Sequence, residues 1–288
     1  MNSTMYTNFS KLVKRDGIEE AARQAKSLGF SSVEFFEVVD SAWTPTVKDR
    51  ESARQMKRVL DAHGLSVACY SIAVTLYEEG MTPDTVTEAE RALYLYAEIA
   101  SVLGSSFLHH TLIMKHIQDV LPFDEALRLT VPVAVRVAKH AYAHGVRCIY
   151  EPQGRFFNGV EKFGAFFSAV KEQCPYVGVC GDVGNVLFVD ESSVDFFRKY
   201  ADKIVHVHIK DYIPTQKSDT SPDWSISPKG AVYAECAIGT GCIDLRACLR
   251  ILKDAGYTGA FGFENGPWDE YVIGVENGHA LLSEYFGA

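Results

Sequence analysis

Four short apolar runs in the second half of the chain each end in a side chain able to hold a metal ion. Cys148-Ile149-Tyr150 runs into Glu151 and Val177-Gly178-Val179-Cys180-Gly181 into Asp182. Val205-His206-Val207 runs into His208, and Ala260-Phe261-Gly262-Phe263 into Glu264. Singly, such a carboxylate reads as a helix N-cap or a solvated loop charge. Four of these residues at four successive strand ends are a much rarer coincidence. If the ends converge, three carboxylates and an imidazole meet and repel, because crowded carboxylates cannot all ionise cheaply. A divalent cation resolves that repulsion. An oxygen-rich set with one nitrogen suits Mn²⁺ foremost, then Mg²⁺ or Co²⁺, and is compatible with Zn²⁺. His208 is favoured over His206 as the ligand because it stands nearer its strand's end; His206 reads as structural or supporting.

The elements that must bring these ends together follow a repeated join: amphipathic helix, glycine, short apolar run. It occurs at Leu28-Gly29-Phe30, His63-Gly64-Leu65, Leu103-Gly104-Ser105, His144-Gly145-Val146 and Ala255-Gly256-Tyr257. The residue after a helix often needs φ > 0, which costs glycine nothing. The first four glycines are 35, 40 and 41 residues apart, and the 111 residues from Gly145 to Gly256 leave room for three further units. That is the spacing of a repeated α-then-β unit. Thr87 with Glu90, and Asn158 with Glu161, have the spacing of an N-cap and an acidic N3 residue. After Thr87, the residues Ala92, Leu93, Tyr96, Ile99, Ala100 and Leu103 form one apolar stripe at helical period. Asp244 opens a similar helix with Leu245, Leu249 and Leu252 inside.

Short β-branched or aromatic runs predict strands near 5–9, 32–36, 67–71, 106–110, 147–150, 177–181, 204–208 and 260–263. Eight strands alternating with helices predict an α/β fold, a (β/α)₈ TIM barrel, with a doubly wound open sheet as the alternative. Barrel enzymes place their working residues where strands end and βα loops begin, which is where the four candidate ligands stand. No Pro- or Gly-rich linker divides residues 1–288, so one domain is expected, with an elaborated, lid-like loop at about 212–241.

The bulk numbers exclude other classes. A net charge of −9 argues against a phosphate-backbone binder, so no nucleic-acid partner is expected. The hydrophobic share of 47% and charged share of 23% are those of a globular protein. Seven scattered cysteines, odd in number and without a Cys-x-x-Cys pair, read as reduced structural thiols in a cytoplasmic protein. The N-terminal residues lack the basic start and apolar stretch of a signal peptide. The greasiest segment, 131–142, carries Arg136, Lys139 and His140, so no membrane span is expected.

The order Glu, Asp, His, Glu on strands five to eight resembles the xylose isomerase-like superfamily. Within it the chain is most similar to the sugar phosphate isomerase/epimerase branch, which includes ketose 3-epimerases, inosose dehydratases and hydroxypyruvate isomerases. Tyr150-Glu151-Pro152, Gly181-Asp182-Val183-Gly184-Asn185, His206-Val207-His208-Ile209-Lys210-Asp211, Gly239-Thr240-Gly241-Cys242-Ile243-Asp244 and Phe263-Glu264 carry the likeness. It spans essentially the whole chain and is specific for fold and metal, not for substrate. The resemblance implies a small-molecule sugar substrate whose adjacent oxygens the metal holds, and an enediolate formed by proton loss from carbon. It implies Glu151 and Glu264 as the catalytic pair on opposite faces of that carbon. Relatives are often dimers or tetramers, which implies a homo-oligomer.

Substrate-binding candidates rank lower. His110 closes strand four; Arg155 lies four residues past Glu151, where related epimerases place an arginine. Lys210 shares a strand side with His208 and could meet a hydroxyl or phosphate, or support a site carboxylate. Glu34 and Glu37 end strand two and could line the opposite wall, a solvated face being the alternative for one of them. Trp43 and Trp224 could cover the pocket. Asn185 replaces a histidine common among relatives, and Phe157 a carboxylate common in ketose 3-epimerases; both depart from the standard ketohexose 3-epimerase. A dehydratase is the nearest rival because enolisation is the shared first step. An endonuclease IV-like nuclease needs extra histidines and a basic surface, and a non-catalytic sugar-binding barrel would keep the pocket and could lack the metal.

Overall fold

Helix, glycine and strand alternate as the join spacing predicts, and the turn glycines Gly29, Gly64, Gly104, Gly145 and Gly256 all have φ between 64° and 86°. A side chain at these positions would be strained, which is why this residue type recurs there. The structure is a computed structural model that describes every residue except 1, 39–44, 75, 77–79, 112–120, 155, 218–225, 265, 267 and 288. Its strands are β1 (Ser3–Met5), β2 (Ser32–Val38), β3 (Ser66–Ala73), β4 (Phe107–His110), β5 (Arg147–Tyr150), β6 (Gly178–Asp182), β7 (Ile204–Ile209), β8 (Asp211–Thr215), β9 (Val232–Cys236) and β10 (Ala260–Phe263). The helices are α1 (Thr7–Asp16), α2 (Ile18–Ser27), α3 (Arg50–Ala62), α4 (Glu88–Leu103), α5 (Phe123–Ala143), α6 (Val160–Gln173), α7 (Ser193–Tyr200), α8 (Leu245–Asp254) and α9 (Trp268–Phe286). Eight strands close into a parallel barrel in the order β1-β10-β7-β6-β5-β4-β3-β2. The fold is a (β/α)₈ barrel, not an open sheet.

The main core lies between barrel and helices, where Phe9, Phe35, Tyr70, Phe163, Phe167 and Phe196 are buried. A smaller cluster of Cys69, Ile149 and Cys180 is separate from it. These cysteines come from β3 and β6, and Ile149 from β5, so they plug the barrel with compact apolar side chains.

Three local expectations are corrected. The run 5–9 is strand only at Met5, and α1 begins at Thr7. Phe9, Leu12 and Val13 are buried at helical spacing, a period that overrides the β-branched look of the segment. Asn158 does not cap α6: Gly159 is the N-cap, and the Asn158 side chain instead donates to the Asn185 carbonyl at 2.8 Å. The segment near 212–241 contains an antiparallel ribbon, β8 on β9, from Asp211↔Cys236 to Thr215↔Val232. Thr87 and Asp244 cap α4 and α8 as expected, accepting from the backbone N–H of Glu90 and Ala247. No helix among the described residues is long and apolar enough to cross a membrane.

Candidate metal centre at the barrel mouth

Inward-facing residues alternate along each barrel strand, and this alternation builds the site. From β2 comes Glu34, from β3 Ser71, from β4 His109, and from β7 both His206 and His208. Glu151, Asp182, Lys210 and Glu264 stand at or just beyond the strand ends. His208 is the hub. Its Nδ1 lies 2.9 Å from Glu151 Oε2, 3.7 Å from Glu264 Oε2 and 4.0 Å from Asp182 Oδ2. Its other nitrogen, Nε2, is 3.0 Å from Glu34 Oε1, while His206 Nε2 holds Glu34 Oε2 at 2.7 Å. The Tyr6 ring stacks on His208 at a centroid distance of 4.4 Å.

The Lys210 ammonium spans two of the carboxylates, 2.9 Å from Asp182 Oδ2 and 2.7 Å from Glu264 Oε2. It also donates to Asn185 Oδ1 at 3.2 Å. Asp182 Oδ1 accepts from the backbone N–H of Gly184 and Asn185, so the start of the following 3₁₀ turn fixes that carboxylate. Its Oδ2 is buried with no aligned hydrogen bond. His109 reaches Ser71 Oγ through Nδ1 at 3.1 Å and Glu151 Oε1 through Nε2 at 3.5 Å. Gly262 leaves space for this packing: a Cβ there would lie 2.9 Å from Glu34 Oε2 and 3.1 Å from His208 Cδ2.

Burial opposes charge throughout the cluster, and the partners decide which charges survive. Glu34 is fully buried, yet His206 and His208 outweigh desolvation and hold its carboxyl well below the usual range. Desolvation likewise opposes ionisation of Glu151, but His109 and His208 keep it below the ordinary glutamate value. Asp182 goes the other way: burial raises it, Glu151 and Glu264 add to the rise, and Lys210 only partly offsets them. Burial also works against the charges of His208 and Lys210. Cys180, Glu34 and Tyr6 nonetheless raise the His208 ring, and Asp182 and Glu264 raise the Lys210 ammonium, each well above its ordinary value.

Donor atoms of Glu151, Asp182 and His208 all lie within 4.8 Å of one another. The fourth expected ligand, Glu264, brings Oε2 into the same space and is the most exposed of the set, at 25%. This donor set fits a divalent cation. Three carboxylates face one imidazole nitrogen, and one buried carboxylate oxygen lacks an aligned donor. The second imidazole nitrogen is held by a carboxylate, the usual arrangement behind a metal-bound histidine. Lys210 supplies the positive charge that now bridges two of the carboxylates.

The structure thus brings together Glu151, Asp182, His208, Glu264, Lys210, Asn185 and Glu34. Glu34 is wholly buried beneath His208 and is no part of an open wall. Glu37 is not solvated either: it is buried, and its carboxylate accepts from the Thr46 and Val47 backbone. His110 is not drawn into the cluster. It turns away on its strand and meets the Tyr150 ring at 5.1 Å, edge to face, and His109 takes the inward place. Arg155, Trp43 and Trp224 lie outside the described residues. Sequence reasoning missed His109, Ser71 and Tyr6. A signal for His109 existed in the β4–β5 register, where it aligns with Ile149, two residues before Glu151.

Comparison with known proteins agrees with this architecture. An inosose dehydratase of Clostridium botulinum (strain Alaska E43 / Type E3) is 22% identical over 260 residues, covering 86% of this chain and 82% of that protein. The structure of an L-ribulose 3-epimerase superposes with a TM-score of 0.73 at 16% identity, covering 99% of this chain and 96% of the other. A xylose isomerase-like TIM barrel protein of Mycobacterium smegmatis in complex with magnesium superposes at 0.64 and 19% identity, covering 92% and 87%. At these identities the superpositions speak for the fold. The family model for the xylose isomerase-like TIM barrel matches residues 22–276, and the chain belongs to that family.

Proposed function

We propose that the protein is a divalent-metal-dependent isomerase or epimerase of a ketose, a related sugar or a sugar phosphate, working through an enediolate. The observation that carries this reading is the convergence of Glu151, Asp182 and Glu264 on Nδ1 of His208. Those four residues would hold the ion, Mn²⁺ foremost, with Mg²⁺, Co²⁺ and Zn²⁺ as the other candidates. When bound, such an ion polarises a carbonyl oxygen and stabilises the negative charge that develops beside it.

The chain's own residues supply the rest. Glu151, kept ionised by His109 and His208, has the charge state of a base and takes the proton from the carbon next to the carbonyl. Glu264, at the open side of the cluster, returns a proton to the opposite face in an epimerisation. A 1,2-isomerisation needs only one of the two. Glu34 fixes His208 by holding Nε2, and Lys210 keeps Asp182 and Glu264 aligned. Asn185 is the best placed to meet a substrate hydroxyl, because its Nδ2 is buried without a partner beside the cluster. Lys210 is a secondary candidate for that contact, and Arg155 remains a candidate on its sequence position. The seven cysteines form no disulfide and six of them are buried, which accords with a reducing, cytoplasmic setting.

A second reading, dehydration of an inosose or related polyol, is favoured by the sequence match to an inosose dehydratase. Its first step is the same proton loss; the enediolate then expels the hydroxyl of the next carbon, which takes back the proton held by Glu151 and leaves as water. A screen of ketoses, aldoses and inososes with Mn²⁺ in D₂O separates the two, by deuterium uptake at carbon against loss of water. Glu151→Gln should fold normally and abolish the exchange. Retained exchange would remove Glu151 as the base.

A further inference from the structure

A second cluster of metal-competent side chains lies on the outside of the barrel. His140, near the end of α5, and His144, its C-cap, are four residues apart and so face the same way. Their rings lie 4.5 Å apart. Glu98 of α4 faces them, its Oε1 3.3 Å from His140 Nε2 and 3.9 Å from His144 Nε2. Because α5 leads directly into the start of β5 at Arg147, this cluster sits at the end of the barrel opposite Glu151 and its partners.

Each donor is prepared for a ligand. His144 bonds its Nδ1 to the His140 carbonyl at 2.9 Å, which makes Nδ1 the protonated nitrogen and leaves the Nε2 lone pair free. His140 Nε2 is buried with no hydrogen bond. Arg50 of α3 occupies Glu98 Oε2 and leaves Oε1 to the histidines. Tyr94 stacks on the His140 ring at 4.6 Å and holds its plane. Two ligands about 2.0–2.1 Å from a tetrahedral ion stand about 3.3 Å apart. Of the two histidine–glutamate pairs, that of His140 already has this separation and that of His144 needs about half an ångström of closure, while all three donor atoms lie within 4.8 Å of one another.

We propose that His140, His144 and Glu98 form a surface site for a borderline divalent transition-metal ion of the Zn²⁺ class, with an open position for water. Two imidazoles and one carboxylate suit Zn²⁺, Cu²⁺, Ni²⁺ or Co²⁺, and are poor company for the hard ions Mg²⁺ and Ca²⁺. The bound ion clamps α4 to α5, beside the Tyr94–His140 stack and the Ser101 hydroxyl that donates to the His144 carbonyl at 2.8 Å. The site is independent of the chemistry at the barrel mouth.

The test uses full-length protein stripped by a chelator, in an Asp182→Asn background that disables the mouth. Zn²⁺ is titrated by calorimetry, and unfolding temperature is read with and without Zn²⁺. The expected result is one Zn²⁺ equivalent and a rise in unfolding temperature, both lost in His140→Asn/His144→Asn, with Glu98→Gln weakening the affinity at least tenfold. The metal-free unfolding temperature of the histidine variant should match its parent. Should the double substitution not fold, His144→Asn alone, at the more exposed ligand, must still weaken Zn²⁺ binding at least tenfold. Equal Zn²⁺ uptake with and without the histidines, or no uptake by the parent, overturns the proposal.

Discussion

Glu34 never touches the space where the ion would sit, yet the structure makes it the residue that aims His208. Its carboxylate accepts from His208 Nε2 at 3.0 Å and His206 Nε2 at 2.7 Å, fully buried. Glu34→Gln keeps the shape but offers one acceptor oxygen where two were needed. One histidine keeps a neutral hydrogen bond, and the other meets an N–H₂ donor with its own N–H. Charge-assisted hydrogen bonds of this kind contribute roughly 1.5–3 kcal/mol each. Loss of the partner behind a ligating histidine costs about 10–100-fold in metal affinity, or about 1.4–2.7 kcal/mol. Mn²⁺ titration by calorimetry should therefore show affinity at least tenfold weaker, in protein whose circular dichroism is unchanged. Glu37→Gln is the control. It lies on the same strand and is buried, but it bonds Thr46 and Val47, away from the cluster, and should leave affinity within twofold. If folded Glu34→Gln protein also binds Mn²⁺ within twofold of wild type, Glu34 does not position His208 and the reasoning fails.

Two further predictions concern the scaffold. His110 is buried beside His109, and burial first, then that neighbour, push its value down to about 3. The unfolded chain, with an ordinary value of about 6.5, binds a proton first as the pH falls. Stability should therefore drop by about 2 kcal/mol between pH 6.5 and 5 and continue falling towards pH 3. Chemical denaturation of wild type and His110→Phe across that window should show the slope flattened in the variant; parallel slopes would contradict the assignment. Arg136 clasps fully buried Glu90 through two nitrogens at 2.7 and 2.8 Å, bridging α5 to α4. Arg136→Met leaves that carboxylate only the Tyr94 hydroxyl as a side-chain donor and should cost about 3 kcal/mol by denaturant titration, with Glu90→Gln/Arg136→Met recovering much of the loss.

Much of the barrel was legible because its punctuation is chemical. Glycine is demanded by positive φ at five of the helix–strand joins, Gly29, Gly64, Gly104, Gly145 and Gly256, and the strands β5 and β10 fall at the predicted residues. The first strand misled because Met5 to Phe9 is too short to show period, and only Leu12 and Val13 reveal the helix. The ribbon of β8 and β9 was read as loop, since its pairing is set by Asp211. That carboxylate accepts from the backbone N–H of Tyr212, Gly239, Gly241 and Ile243, a long-range clamp with no local signature. At the site, strand ends announced Glu151, Asp182, His208 and Glu264. What lies beneath them depends on which side of a strand faces inward. Choosing the residue nearer the end favoured His208 over His206, both of which face inward, but it preferred His110 to His109, because phase is fixed by register with the neighbouring strand. Ser71 and Tyr6 are ordinary residues until the barrel closes around them.

One cation held by four strand ends is the centre of the proposed chemistry, and anomalous diffraction from crystals grown with Mn²⁺ tests it most directly. A single peak at the mouth, about 2.0–2.2 Å from Glu151, Asp182, Glu264 and Nδ1 of His208, with Lys210 displaced from between the carboxylates, is the result expected. Density for the Lys210 ammonium still bridging Asp182 and Glu264 at saturating Mn²⁺, with no peak beside His208, would contradict it.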